Sequence, residues 1–324
     1  MSKNRKYFPH KSVLFVTTRT EEGLPLVPSH NLNFIINGIL AKAGFMYDVK
    51  VCHFLFMSNH FHMILVVNNP EHVSEYMKYV KGEIAHAINL LLGRRQKTVW
   101  KHGYDSPILL TPEDVLRYIN YIYLNPVKAG LVSSIDDYPG VSSWNMFASG
   151  KHIRPHKHLR RSSIAKLVSP SLPVNEQKRI VDHYSSDKSK GSEQVLAIEP
   201  YAWIDSFIED MDKDEVKDQI VSKVREQEAR LRSIRTKDHK LILGSTALRR
   251  ESMFKHHVPQ KHTRRMICIC FDKEYRKAFI KRFKYLCDIA KDAYSSWREG
   301  DFSIKIPPGL FNPRPPNLVS ALPV

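Results

Sequence analysis

The sequence predicts an α+β chain: a ferredoxin-like antiparallel sheet followed by a mostly helical second half with a proline-rich tail. Three observations carry this expectation. Over the first 110 residues, short β-branched and apolar runs alternate with helically spaced stretches in the order β-α-β-β-α-β, the split βαβ arrangement. Beyond about residue 150 the apolar spacing is helical. Prolines then gather between positions 306 and 324, which favours an extended tail.

Residues 13–18 read as the first strand. Residues 32–43 read as a helix, with Leu32, Ile35, Ile36, Ile39 and Leu40 on one stripe and Asn31 as its cap. Residues 47–57 and 61–67 read as strands two and three, joined at Ser58-Asn59 by a tight hairpin. Residues 73–92 form a long amphipathic helix stopped by Gly93. A basic loop, 94–102, leads to a fourth strand at 107–110. Thr111-Pro112-Glu113-Asp114 is a helix start: a capping hydroxyl, proline in the first turn, then acids at the positive end of the dipole. That helix carries residues 115–124 and is expected to end near Asn125-Pro126. The expected form is an antiparallel sheet with helices on one face, plus this appended helix.

A boundary is expected near residue 150, giving units 1–150 and 151–324, with the extended tail over 300–324. Residues 151–166 are basic and rich in histidine. Helices are expected over 174–184, 202–211, 213–233 and 273–299, with a polar linker at 185–192.

Composition narrows the function. The 324 residues hold 50 Lys and Arg against 33 Asp and Glu, a net charge of +17, so a polyanion is the expected partner: nucleic acid first, an anionic membrane surface second. Apolar residues are 42% of the chain, enough for real cores. The four cysteines, Cys52, Cys268, Cys270 and Cys287, include no C-x-x-C pair and exclude a disulfide scaffold. Cys268 and Cys270 sit in a strand-like apolar run and read as core. No apolar run reaches the roughly 18 residues a membrane span needs; 51–67 is broken by Ser58, Asn59, His60 and His62. A soluble intracellular protein without membrane contact is the expectation.

The sharpest local feature is Asn59-His60-Phe61-His62 at the head of an apolar strand. Strand side chains alternate, so His60 and His62 share a face while Phe61 points into the opposite layer. Two imidazoles on one face are half of a divalent-metal site; alone, such a pair also fits a half-solvated sheet surface. The second feature is the run from Tyr118 to Pro126. On a helix Tyr121 and Asn125 share a face, and Tyr118 lies one turn before Tyr121. These tyrosines would equally serve as packing residues.

Together these residues resemble the single-tyrosine HUH transposases, in particular the REP-associated tyrosine transposases. MSNHFHMILVV (57–67) is similar to the HUH motif, and YIYLNPVKAGLV (121–132) to the tyrosine-bearing helix. VWKHGYDSPILL (99–110) and DYPGVSSWNMF (137–147) resemble the flanking segments, in the same order and at similar spacing. The resemblance covers roughly residues 8–148; the segment 300–323 resembles, less specifically, an extension of longer members.

The resemblance implies that His60 and His62 bind Mg²⁺ or Mn²⁺, that Tyr121 is the nucleophile, and that Asn125 stands where relatives place a polar third ligand, commonly glutamine. Asparagine is one methylene shorter. It further implies single-stranded DNA flanking a REP-like hairpin as substrate, a 5′-phosphotyrosine intermediate, strand transfer without ATP, a monomer or homodimer, and a bacterial cytoplasmic, nucleoid-associated setting. The basic loop, with Arg94, Arg95, Lys97 and Lys101 interleaved with Trp100 and Tyr104, would track phosphates and stack a base. Arg160, Arg161, Arg264 and Arg265 would grip hairpin phosphates. The second unit would serve DNA specificity or assembly. Two other readings compete: a transposase-derived module that grips structured nucleic acid without cutting, and a zinc hydrolase, for which further ligands at metal spacing are wanting.

Overall fold

The computed structural model describes residues 6–95, 97–101, 103–164, 172–208, 211–252 and 266–310. In chain order its first elements are β1 (Ser12–Arg19), α1 (His30–Met46), β2 (Val49–Phe56), β3 (His60–Val67), α2 (Pro70–Leu91), β4 (Ile108–Leu109) and α3 (Pro112–Lys128). The order in the sheet is β2-β3-β1-β4, with every pairing among these four antiparallel, which is the ferredoxin-like order. The hairpin at Ser58-Asn59 is as tight as its sequence suggests: the Met57 amide donates to the His60 carbonyl at 2.7 Å.

Helices cover both faces of the sheet, not one. Phe61, on the face opposite His60 and His62, meets Trp100, whose indole N–H donates to the Lys81 carbonyl of α2. α1 packs beside α2 in that layer. The other face, carrying His53, Phe15 and His62, receives α3 through Tyr118, Tyr121 and Tyr123. Both faces of the strands are therefore apolar, which explains near-continuous runs such as Met63-Ile64-Leu65-Val66-Val67 where alternation would mark a half-solvated sheet.

Two boundaries differ from the sequence reading. Ser29, not Asn31, caps α1: its hydroxyl accepts from the Leu32 amide at 3.2 Å, while Asn31 is buried inside the first turn. α3 does not stop at Asn125-Pro126 but runs to Lys128 with Pro126 inside it. It closes in a Schellman turn, Gly130 at φ +71° and the Leu131 amide on the Pro126 carbonyl at 3.0 Å.

The second half continues with α4 (Trp144–Ala148), β5 (Ile153–Leu159), α5 (Arg161–Ile164), α6 (Val174–Ser186), β6 (Gly191–Ala197), α7 (Lys213–Lys237), α8 (Ser245–Arg249), β7 (Cys268–Ile269) and α9 (Lys273–Arg298). The helices expected at 174–184, 213–233 and 273–299 are present. The expected helix at 202–211 is instead a single 3-10 turn, Ile204–Ser206, among the described residues there. The basic segment 151–166 and the polar linker 185–192 contribute to an antiparallel pair, β5 with β6, that packs against α1. The reason is visible at Lys157, 3% exposed: its Nζ donates to the Ser185 and Asp187 carbonyls at 2.7 and 2.9 Å, so a charged residue is part of the interior. β7 adds to β4 in parallel, extending the sheet to five strands. One apolar core runs from Phe8 and Val13 through Trp203, Ile220 and Leu248 to Ile269. A smaller one joins Tyr7, Phe283, Ala290 and Leu310, so the described start of the tail packs back; residues 311–324 lie outside the described residues.

Candidate active site

The histidine pair sits where β3 leaves its hairpin. Across the ladder His62 faces Thr17, and His60 faces Arg19. Thr20 closes the turn, its amide and hydroxyl both donating to the Asn59 carbonyl at 2.9 and 3.1 Å. The two imidazoles lie 4.7 Å apart between ring centroids. His60 Nδ1 is 2.7 Å from Asn59 Oδ1; with the proton on Nδ1 that contact is a hydrogen bond and leaves a lone pair on Nε2. His62 is 4% exposed and stacks on Phe15, and both its ring nitrogens are buried without a hydrogen-bond partner among the described residues. Burial, with Arg19 adding to it, pushes the His60 imidazole down to about 4. Burial, then His60 and Arg19, holds His62 well below the usual histidine range. Both rings are thus neutral at neutral pH.

α3 brings the phenols to this face. The ring centroids of Tyr121 and His62 are 5.4 Å apart, edge to face, and Phe15 lies 6.0 Å from Tyr121 and 4.7 Å from Tyr118. Tyr121 is 37% exposed, so its phenol is open to a substrate. Tyr118 lies 5.6 Å away between ring centroids, and burial raises its pKa. Tyr123 belongs to the core instead. Its hydroxyl is 2.6 Å from His53 Nδ1 and 3.0 Å from Ser143 Oγ, while His53 Nε2 is 3.2 Å from the Pro200 carbonyl. Asn125, one turn beyond Tyr121, has a buried Nδ2 with no hydrogen-bond partner among the described residues. Lys128 Nζ stands 5.5 Å from the Tyr121 ring centroid, and burial holds its ammonium below the usual lysine range. Arg19 and Lys128 escape a motif-led reading: one is an ordinary strand-end residue, and the other lies seven positions beyond the tyrosine. Knowing that β1 pairs with β3 would find the first, and extending α3 past Pro126 would find the second.

The donors fit a divalent ion. Two neutral imidazoles, one with its outer nitrogen hydrogen-bonded and one with unpartnered buried nitrogens, are the pattern of a histidine metal site. Among the described residues no three His, Cys, Asp or Glu side chains converge, so a further donor from among them would be a neutral group such as the Asn125 amide. This is also what the zinc-hydrolase reading lacks.

The residues expected to hold DNA divide. Arg95, Lys97, Lys101 and Arg160 are exposed. The Lys101 amide donates to the Arg19 carbonyl at 2.9 Å, which puts the end of the basic loop one strand-width from Arg19. Arg94 is half-buried and donates to the Thr98 carbonyl at 3.1 Å. Arg161 is paired with Glu83. Trp100 does not offer a face to a base: it is 7% exposed, its N–H is bonded at 2.8 Å and Phe61 meets its ring. Tyr104 is half-buried, with Lys6 Nζ 3.2 Å from its ring centroid and its hydroxyl 3.2 Å from Ser74 Oγ. Arg264 and Arg265 lie outside the described residues. Among the described residues no helix is long and apolar enough to cross a membrane.

Residues 27–122 match the family model described as Transposase IS200 like, a span that includes His60, His62 and Tyr121. The REP-associated tyrosine transposase of Escherichia coli (strain K12) is 21% identical over 141 residues, 43% of this chain and 81% of that protein. A solved structure of a REP-associated tyrosine transposase bound to a REP hairpin is 20% identical, covering 46% of this chain and 86% of its own, with a TM-score of 0.40. Residues 27–122 are therefore similar to the IS200-like transposases, and about two fifths of the chain resembles the REP-associated tyrosine transposase of Escherichia coli.

Proposed function

We propose that the protein is a metal-dependent nuclease and strand transferase for single-stranded DNA beside a hairpin, with Tyr121 as nucleophile. The observation that carries this reading is the contact between His62 and Tyr121, which joins a phenol to an imidazole pair able to hold Mg²⁺ or Mn²⁺. His60, His62 and the amide of Asn125 would hold the ion, which when bound withdraws charge from a phosphate oxygen. Arg19, across the ladder from His60, is a fixed cation for the non-bridging oxygens. The Tyr121 oxygen attacks phosphorus, the bond to the 3′ oxygen breaks, the phenol proton leaves, and the departing oxygen takes up a proton as a 3′-hydroxyl. The product is a 5′-phosphotyrosine, an activated ester that another 3′-hydroxyl can attack to reseal the strand. Lys128, beside the Tyr121 ring, would place a positive charge next to the attacking phenol.

Arg95, Lys97 and Lys101 would follow the phosphates leading into the site, and Arg160 the hairpin stem. The second half would then contribute DNA contacts around an IS200-like core. The resemblance points to hairpin-bearing DNA in a bacterial cytoplasm.

The test is a Tyr121→Phe variant offered hairpin-flanked single strands with Mn²⁺. The covalent protein–DNA adduct should vanish while affinity for the strand stays within about twofold of wild type, since only one hydroxyl is lost. An undiminished adduct rejects Tyr121. No cleavage of any hairpin by wild type at saturating Mn²⁺ rejects the enzyme.

A further inference from the structure

We propose that the second half of the chain is a splint for the tyrosine helix, with Arg235 as a positioning residue for Tyr121, Asn125 and Lys128. Its catalytic meaning rests on the function proposed above; its structural part stands alone.

The argument begins with Pro126. Proline has no N–H for the Ile122 carbonyl, so α3 lacks one rung just after Tyr121. The turn beyond that gap carries Asn125 and Lys128, the two residues grouped with Tyr121 on the site's face. A helix end with a missing rung frays unless something outside the helix holds it.

What holds it comes from α7 and the residues after it. α7 packs along α3, burying Val216, Ile220 and Val224. Glu228, 1% exposed, accepts from the Ile135 amide at 2.6 Å and from Ser134 Oγ, pinning the chain that leaves α3. Arg235 then reaches the helix end, donating from Nη2 to the Lys128 carbonyl at 2.7 Å and the Val127 carbonyl at 3.2 Å. A cation there also suits the negative end of the helix dipole. The Leu243 and Gly244 amides donate to the Gly130 and Leu131 carbonyls at 3.1 and 2.9 Å. The guanidinium lies directly against this turn: a Cβ built at Gly130 would stand 2.7 Å from Arg235 Nη1.

The start of α3 is held from the same half. Asp114, 1% exposed, accepts from the Phe271 amide at 3.1 Å, and the Arg117 guanidinium lies 4.3 Å from the Phe271 ring centroid. Both ends of the tyrosine helix are thus fastened by segments outside the matched IS200-like span of 27–122. The splint sets the helix along its axis and in rotation, and with it the approach of Tyr121 to His62.

The experiment compares wild type, Arg235→Ala and Arg235→Lys by two readouts. The first is the single-turnover rate of adduct formation at saturating hairpin DNA and Mn²⁺. Arg235→Ala should be slowed roughly tenfold or more, as misplacement of a reacting group does, with strand affinity unchanged. Arg235→Lys, which keeps a cation but cannot serve both carbonyls in the same way, should recover part of the rate. The second is hydrogen exchange at the Ala129, Gly130 and Leu131 amides, which should quicken in Arg235→Ala with the melting temperature nearly unmoved. Wild-type adduct rates in both variants overturn the positioning role, and unchanged exchange overturns the splint. If Arg235→Ala does not fold, Arg235→Lys decides by the same two measurements. If wild type itself forms no adduct, the proposed function fails and exchange alone judges the splint.

Discussion

The imidazole of His62 on β3 and the phenol ring of Tyr121 on α3 meet edge to face with centroids 5.4 Å apart. Nothing local brings them together. One is fixed by its register against Thr17 on β1, the other by a helix packed on the same face of the sheet. Everything catalytic in the proposed function depends on that meeting being maintained.

Asn59 should matter to metal use without touching the metal. Its Oδ1 orients His60 through the 2.7 Å contact at Nδ1. Asn59→Ala should raise the Mn²⁺ concentration for half-maximal adduct formation roughly 10- to 100-fold, with strand binding intact. A titration of adduct against Mn²⁺ measures it.

Arg19 gives a prediction with a sign. Its charge adds to burial in depressing His60 and His62. Arg19→Met should therefore raise both imidazole pKa values, so that the acid limb of the cleavage pH profile moves to higher pH. The rate on the plateau should fall by roughly 10- to 100-fold as one charged contact to phosphate is lost. A rate–pH profile separates the two effects.

Acid should unfold the protein through its buried imidazoles. Burial puts His53 at about 3 and His60 at about 4, both below the unfolded value near 6.5. The neutral forms are native, so stability is full above pH 6.5 and falls as pH drops toward 4, where the unfolded chain binds protons that the native one refuses. Near pH 5 these two alone should give a slope of about 2.5 kcal/mol per pH unit. Urea melts at pH 7, 6 and 5 check this.

Two kinds of residue in the basic loop should behave oppositely. Trp100→Ala should cost about 3–5 kcal/mol of stability, as loss of a buried aromatic does. It should leave the hairpin affinity of the folded protein unchanged. Lys97→Ala and Lys101→Ala should leave the melting temperature alone and each lower the salt slope of DNA binding by about 1. Paired melting and salt-titration curves distinguish the classes.

The split βαβ order, the Ser58-Asn59 hairpin and the shared face of His60 and His62 were legible because each depends on local spacing and turn chemistry. The choice of Tyr121 rests on the family resemblance; helical spacing alone does not separate it from Tyr118 or Tyr123, and Tyr123 serves a buried bond to His53. β5 and β6 were hidden because their sequences are polar and charged: Lys157 is interior through carbonyl bonds that no hydropathy pattern records. The run of α3 past Pro126 was hidden because the groups that hold it, Arg235 and the Gly244 amide, lie more than a hundred residues away. Trp100 looked like a stacking platform because its neighbours are basic, and only the sheet face opposite His60 shows it to be core.

The parallel pairing of β7 with β4 has a consequence for synthesis. A ribosome that has released only the first half of the protein presents β4 with one side open, and the strand that covers it, Cys268–Ile269, arrives long afterwards. During that interval the open side of β4 is free to pair with a neighbouring nascent chain, so premature termination between residues 130 and 268 would leave fragments with an extra exposed sheet edge.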